Sequence, residues 1–169
     1  MIPKVSDIHT HNRNATDCVI NLERGASPER NDAMYSVGWH PWWGCEGADL
    51  KWVEATAADR RVVMIGECGI DRLRGGDIEE QIELTQWHAE LAERLGKPLI
   101  LHMVGAWSEI IGLRKRMRPV QPWIIHGFRG KPALASQLVA AGFYLSLGPK
   151  SPAKLAEVIP PDRLLHETD

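Results

Sequence analysis

The chain has 169 residues, 44% hydrophobic and 25% charged, with a formal net charge of −2. This predicts a single globular domain over residues 1–169, and a charge so close to neutral excludes nucleic-acid binding by bulk electrostatics alone. No apolar run approaches the roughly 20 residues needed to span a membrane, and nothing suggests an obligate protein partner.

Short apolar runs alternate with helical or loop segments along the whole chain, the signature of an α/β fold with parallel strands. The first two strands are expected at Lys4–His9 and Cys18–Leu22, with only Asn12–Thr16 between them, too short for a crossover helix. A third at Met34–Trp39 leads to a weak helix at Leu50–Asp59, and a fourth strand covers Val62–Glu67. The best punctuated helix follows at Asp77–Leu95, with Ile78, Ile82, Leu91 and Leu95 at helical spacing and Gly96 as its stop. Then come strand Pro98–His102, helix Trp107–Met117, strand Pro122–His126 and helix Lys131–Ala141, which ends at Gly142. Strand Phe143–Leu147 precedes a helix expected to be capped by Ser151 with Pro152 at its first position. The last strand is Arg163–Glu167. Eight strands with these connections predict a compact TIM-like (β/α) barrel lacking the first crossover helix and any helix after the last strand.

The polar residues gather at the C-terminal ends of these strands, the face on which barrels build their sites. His9 and His11 end the first, and their spacing of two turns both rings to one side, with Asp7 on the same face. His40 ends the third, Glu67 and Asp71 the fourth, His102 the fifth, His126 the sixth and Asp169 the eighth. Five of the seven histidines therefore fall at strand ends. Buried imidazoles and carboxylates without partners are costly, and a shared cation removes that cost. His88 and His166, mid-helix and mid-strand, read as structural or surface residues. Trp87 and Trp123 read as core, whereas Trp39, Trp42 and Trp43 are candidates either to pack a loop or to stack a base. Cys18, Cys45 and Cys68 fit neither a zinc ribbon nor a redox pair and read as small buried hydrophobes in a reducing compartment. Met1–Asp7 lacks the apolar core of a signal peptide, so the expected location is cytoplasmic.

These segments resemble the TatD-type hydrolases, metal-dependent deoxyribonucleases of the amidohydrolase-like superfamily. Asp7-Ile8-His9-Thr10-His11 is similar to their Asp-x-His-x-His opening, Gly38-Trp39-His40-Pro41 to Gly-x-His-Pro, and Gly66-Glu67-Cys68-Gly69-Ile70-Asp71 to Gly-Glu-x-Gly-x-Asp. His102 stands at their fifth-strand histidine, His126-Gly127-Phe128-Arg129-Gly130 resembles His-x-Phe-x-Gly, and Glu167-Thr168-Asp169 the closing Glu-Thr-Asp. Where the family often has His-x-Arg, this chain has His102-Met103-Val104.

The resemblance implies a centre of two divalent metal ions (zinc, manganese, nickel or magnesium) that hydrolyses phosphodiesters in DNA or smaller phosphate esters. It implies that His9, His11 and Asp169 hold one ion, that His102 and His126 hold the other, and that Glu67 bridges them. Glu67 and Asp169 are then the catalytic carboxylates, Asp169 as general base. Asp7, His40, Asp71, Arg72 and Arg129, with Lys150, become candidates for outer support or phosphate contact. Cleavage of an amide, ester or lactone on the same centre, or metal binding without catalysis, are the alternatives. A ligand at the terminal Asp169 is expected to fray unless further native residues follow it.

Overall fold

A computed structural model describes residues 1–169. Eight parallel strands are hydrogen-bonded in chain order: β1 Asp7–Thr10, β2 Cys18–Asn21, β3 Met34–Val37, β4 Val62–Asp71, β5 Leu99–Val104, β6 Trp123–Ile125, β7 Tyr144–Leu147 and β8 Leu164–His166. Helices α1 Leu50–Ala57, α2 Ile78–Leu95, α3 Trp107–Met117, α4 Pro132–Ala140 and α5 Leu155–Val158 fill the later connections. The sheet curls until β8 lies beside β1, giving the expected barrel, nearly closed and without a first crossover helix. The β2–β3 connection also has no helix. Arg30 braces this side: its guanidinium donates to the carbonyls of Arg13 and Ala15 at 3.1 and 2.8 Å, and its backbone N–H to the Tyr35 hydroxyl at 2.9 Å.

The barrel interior explains why the site sits where it does. One apolar side chain from each strand forms a plug: Ile8, Val19, Met34, Met64, Ile100, Ile124, Tyr144 and Leu165. Two positions further along a strand, side chains return to the same face. On β2, β3, β5 and β7 that next position holds Asn21, Ser36, His102 and Ser146, and just past the ends of β6 and β8 it holds His126 and Glu167. A polar layer therefore lies directly above an apolar one.

His9 and Glu67 are out of phase with Ile8 and Met64. Both lie where the register slips, between Asp7 and Thr10 on β1 and between Ile65 and Cys68 on β4. Such irregularities re-aim side chains. The slip on β4 depends on close backbone approach: a Cβ on Gly66 would lie 2.2 Å from the Ile100 carbonyl oxygen, and one on Gly38 2.6 Å from Gly66 Cα. The larger core, with Trp123, Phe143, Leu99 and Leu101, packs between the strands and α2–α4.

Between β8 and β1 no backbone ladder forms, and Asp7 bridges the seam. Its Oδ1 accepts the backbone N–H groups of His9 and Thr168 at 3.1 and 3.2 Å, and its Oδ2 accepts the Thr168 hydroxyl at 2.5 Å. Buried in this role, Asp7 has both carboxylate oxygens engaged by neighbouring backbone and the Thr168 hydroxyl.

Helix α2 starts and stops as its punctuation predicts. The Asp77 carboxylate accepts the N–H groups of Glu79 and Glu80, and Gly96 closes the helix in the left-handed region at φ 66°. The expected cap at Ser151 is not made. Its hydroxyl donates to the Phe128 carbonyl at 2.8 Å and accepts the Gly148 N–H at 3.1 Å, so it ties two strand-end loops together and α5 begins only at Leu155.

His88 lies fully buried on α2, where Nδ1–H donates to the Leu84 carbonyl at 2.7 Å and Nε2 accepts the Trp39 N–H at 2.9 Å. Burial pushes its pKa down to about 4. The unfolded chain, with an ordinary histidine, therefore binds more protons between pH 6.5 and 4. The contribution of neutral His88, on the order of 3 kcal/mol, is present in full above pH 6.5 and is lost as the pH falls toward 4. Denaturant unfolding at pH 7, 6, 5 and 4 should show this decline, and His88→Gln should flatten it; parallel curves for the two proteins would assign the acid sensitivity elsewhere.

Candidate metal centre

Glu67 is the hub. Its carboxylate is 3% exposed and its two oxygens face different histidines. Oε1 lies 2.7 Å from His126 Nε2, 3.0 Å from His102 Nδ1 and 3.1 Å from His40 Nε2. Oε2 lies 3.3 Å from His9 Nε2 and 3.5 Å from His11 Nε2. The Asn21 side-chain oxygen accepts the Glu67 N–H and the Ser36 hydroxyl, both at 3.0 Å, which fixes the carboxylate's backbone. Burial opposes ionisation of Glu67, but His126, His102 and His11 outweigh it and hold the carboxyl well below the usual range.

The outer nitrogens of the rings separate the histidines by role. His11 Nδ1 faces Glu23 Oε1 at 3.1 Å, His102 Nε2 faces Asp71 Oδ2 at 3.0 Å and His126 Nδ1 faces Glu167 Oε1 at 3.3 Å. A carboxylate only accepts, so each outer carboxylate draws a ring proton to its side and fixes the ring's orientation, while the inner nitrogen of each ring faces Glu67. His40 is wired the other way. Its Nδ1 accepts the Trp42 N–H at 3.1 Å, so the neutral ring carries its proton on Nε2 and donates to Glu67. His40 is thus held at its outer nitrogen by backbone, whereas the other three rings each lie between two carboxylates.

His9 completes the set. It is fully buried, and neither ring nitrogen has a hydrogen-bond partner; the approach to Glu67 is close but off-line for such a bond. Two unpartnered nitrogens in a buried imidazole are costly. Donor atoms of His9, His11 and Glu67, of His9, His126 and Asp169, and of His40, Glu67 and His102 lie within 4.8 Å of one another. An orphaned imidazole beside convergent nitrogen and carboxylate donors fits a divalent transition metal.

The centre floors a cleft of about 710 Å³, walled by Trp42, Trp43, Trp107 and Phe128, with Arg129 and Lys150 on its rim. Trp42 is half exposed. Its indole N–H donates to Asp71 Oδ2 at 2.6 Å, and the Arg74 guanidinium covers one ring face at 4.4 Å from the centroid. Trp39, by contrast, is buried with its N–H on the Gly44 carbonyl, so of the three candidate stacking tryptophans it belongs to the core.

The family described as TatD related DNase matches residues 4–169. The chain belongs to this family. Among curated TatD-type relatives it is 32% identical over 155 residues to the uncharacterized metal-dependent hydrolase YabD of Bacillus subtilis, covering 83% of this chain and 60% of that protein. It is 33% identical over 151 residues to the 3'-5' ssDNA/RNA exonuclease TatD of Erwinia billingiae, covering 79% and 56%. The chain thus spans a little over half the length of these relatives. In fold it superposes on the Escherichia coli TatD homologue YJJV with a TM-score of 0.72 at 24% identity, over 90% of this chain and 66% of that one.

Of the residues singled out in the sequence, this TatD-type barrel brings together His9, His11, His40, Glu67, His102, His126 and Asp169, whose Oδ1 lies 3.9 Å from His11 Nε2. Asp71 sits one step out, behind His102, and Arg129 lines the cleft. Arg72 does not. Its guanidinium pairs with Glu109 and its Nε–H donates to the Gly105 carbonyl at 2.9 Å, which turns it away along α3. Sequence reasoning missed Asn21, Glu23 and Glu167. Glu167 was the nearest to being found, as the first residue of Glu-Thr-Asp.

Without a cation the centre holds protons. Hydrogen bonding to Glu67 leads the causes that raise His11 to about 9, against the opposing effect of burial. His126 rises to about 10, because Glu67 and Glu167 outweigh burial. Metal must displace these protons. Calorimetric titration with manganese or zinc at pH 7 in buffers of different ionisation enthalpy should show net proton release. The affinity should fall roughly tenfold for each unit the pH is lowered, per proton released. A buffer-independent heat would contradict the assignment.

Proposed function

We propose that the chain is the catalytic barrel of a two-metal phosphodiesterase acting on DNA or on smaller phosphate esters. The observation that carries this reading is the orientation of His11, His102 and His126, each with a carboxylate on its outer nitrogen, around the unpartnered His9 and the two-faced Glu67. His9, His11 and Asp169 would hold one ion, His102 and His126 the other, with Glu67 shared between them. The ions would supply Lewis acidity toward a phosphoryl oxygen and activate the attacking water.

The protein's own groups do the remaining work. Asp169, 37% exposed at its side chain, stands where the centre opens to the cleft and serves as base for the water proton. Arg129 and Lys150 on the rim bind non-bridging phosphate oxygens, standing in for the arginine absent from His102-Met103-Val104. His40 Nε2–H donates at the centre and steadies Glu67. Trp42 and Trp107 offer apolar rings on which a nucleobase next to the scissile phosphate can lie. Nucleic acid as substrate is also in keeping with the exonuclease named among the relatives.

Metal-stripped protein should cleave neither bis(p-nitrophenyl) phosphate nor a short single-stranded DNA, and manganese or zinc should restore cleavage. Glu67→Ala should abolish the restored activity. Asp169→Asn should lower kcat by roughly 10²–10⁴ with little change in KM, as loss of a general base does. Arg129→Ala should mainly raise KM. Stoichiometric metal binding without cleavage of either substrate would refute the phosphodiesterase reading.

A further inference from the structure

Helix α2 carries an unusual face. Gln81, Thr85 and His88 stand at i, i+4 and i+7, the spacing at which a packed helix normally presents apolar side chains, and all three are 0–1% exposed. Burying them costs free energy unless every polar group is bonded, and here each is.

Two of the three hold the backbone of site loops. Gln81 Oε1 accepts the Asp71 N–H at 2.7 Å, and its amide nitrogen lies 3.1–3.2 Å from the carbonyls of Asp71, Arg74 and Gly76. One amide therefore pins the whole turn that follows β4. Two helical turns on, His88 Nε2 accepts the N–H of Trp39, the residue immediately before His40-Pro41-Trp42. The two loops meet at one carboxylate. Asp71 Oδ1 accepts the Leu73 and Arg74 N–H groups at 2.8 and 3.2 Å, and Oδ2 receives the Trp42 indole N–H at 2.6 Å and faces His102 Nε2 at 3.0 Å. A carboxylate with both oxygens engaged can hold the His102 Nε2 side of the ring only if its own backbone stays in place. Thr85 touches neither loop, since its hydroxyl returns to the Gln81 carbonyl within the helix at 2.7 Å.

We infer that Gln81 and His88 are positioning residues: α2 grips the Asp71 turn and the Trp39 backbone so that the Trp42–Asp71–His102 junction presents His102 Nδ1 to the centre. The effect on metal binding rests on the function proposed above; the effect on His102 itself does not.

The test uses ¹⁵N-labelled, metal-free protein. Long-range ¹H–¹⁵N spectra of the imidazoles, with His102 assigned by its loss in His102→Ala, should show one defined pair of His102 nitrogen shifts in the wild type. In Gln81→Met, and separately in His88→Gln, the His102 Nε2 shift should move away from its wild-type value as the contact with Asp71 loosens. Manganese affinity, read from free Mn²⁺ by electron paramagnetic resonance, should fall roughly 10–100-fold, the usual effect of losing outer support of a ligand. Thr85→Val should leave both readouts as in the wild type. Wild-type His102 shifts in the folded variants would overturn the inference, as would equal weakening of manganese binding by Thr85→Val. Should Gln81→Met fail to fold, His88→Gln alone decides by the same readouts. A wild type that binds no metal, yet whose His102 shifts still respond to Gln81→Met, would support the positioning role while removing the metal reading.

Discussion

A carboxylate held almost entirely out of water is the constraint from which the rest of this molecule follows. Glu67 lies inside the barrel with five imidazoles around it. Near such a group, two unit charges about 4 Å apart interact by roughly 4 kcal/mol at an effective dielectric of 20, so its neighbours cannot be left to chance. The imidazoles balance Glu67, and Glu23, Asp71 and Glu167 orient three of them. The two buried ones are anchored in turn: Asp71 by the N–H groups of Leu73 and Arg74, Glu167 by that of Gly127 at 2.9 Å. Charge alternates outward until it ends on backbone.

The barrel supplies the layer in which this can be built. Eight apolar side chains, one per strand, seal the interior below, and strand alternation brings polar residues up next. The two residues that strict alternation would have turned outward, His9 and Glu67, arrive through slips of register. The chain covers 60% or less of the curated relatives described above, has two connections without helices, and still carries eight strands and the residues that gather around Glu67. What the site demands of the fold is the ring of strands and the residues just past their ends.

Much of this was legible in the sequence, because strands, helix stops and strand-end polar residues are local signals. Gly96 ends α2 as its residue type predicts. The strand ends named seven residues that do converge. What stayed hidden depends on contacts between distant segments. Glu23 supports His11 from twelve positions away, Asn21 reaches Glu67 across 46 and Glu167 reaches His126 across 41. Nothing local marks an asparagine or glutamate for such work. Arg72 shows the converse: a basic residue just after a strand end has the right address, but its side-chain direction is set by Glu109 on a helix that the local pattern does not connect to it. Ser151 has the chemistry of a cap, yet bonding to Phe128 and Gly148 claimed its hydroxyl.

The clasp of Asp7 on Thr168 joins residues 161 positions apart. The entropy of closing so long a loop grows only logarithmically with its length, but contacts of this span form late because everything between them must first be ordered. Asp7 lies two residues before His9, and Thr168 immediately before Asp169. A partly folded chain can therefore carry His102 and His126 on adjacent strands while His9 and Asp169 remain apart. Chain closure and completion of the centre are one event, so a cation held from both sides as proposed would be retained only by molecules that have finished folding.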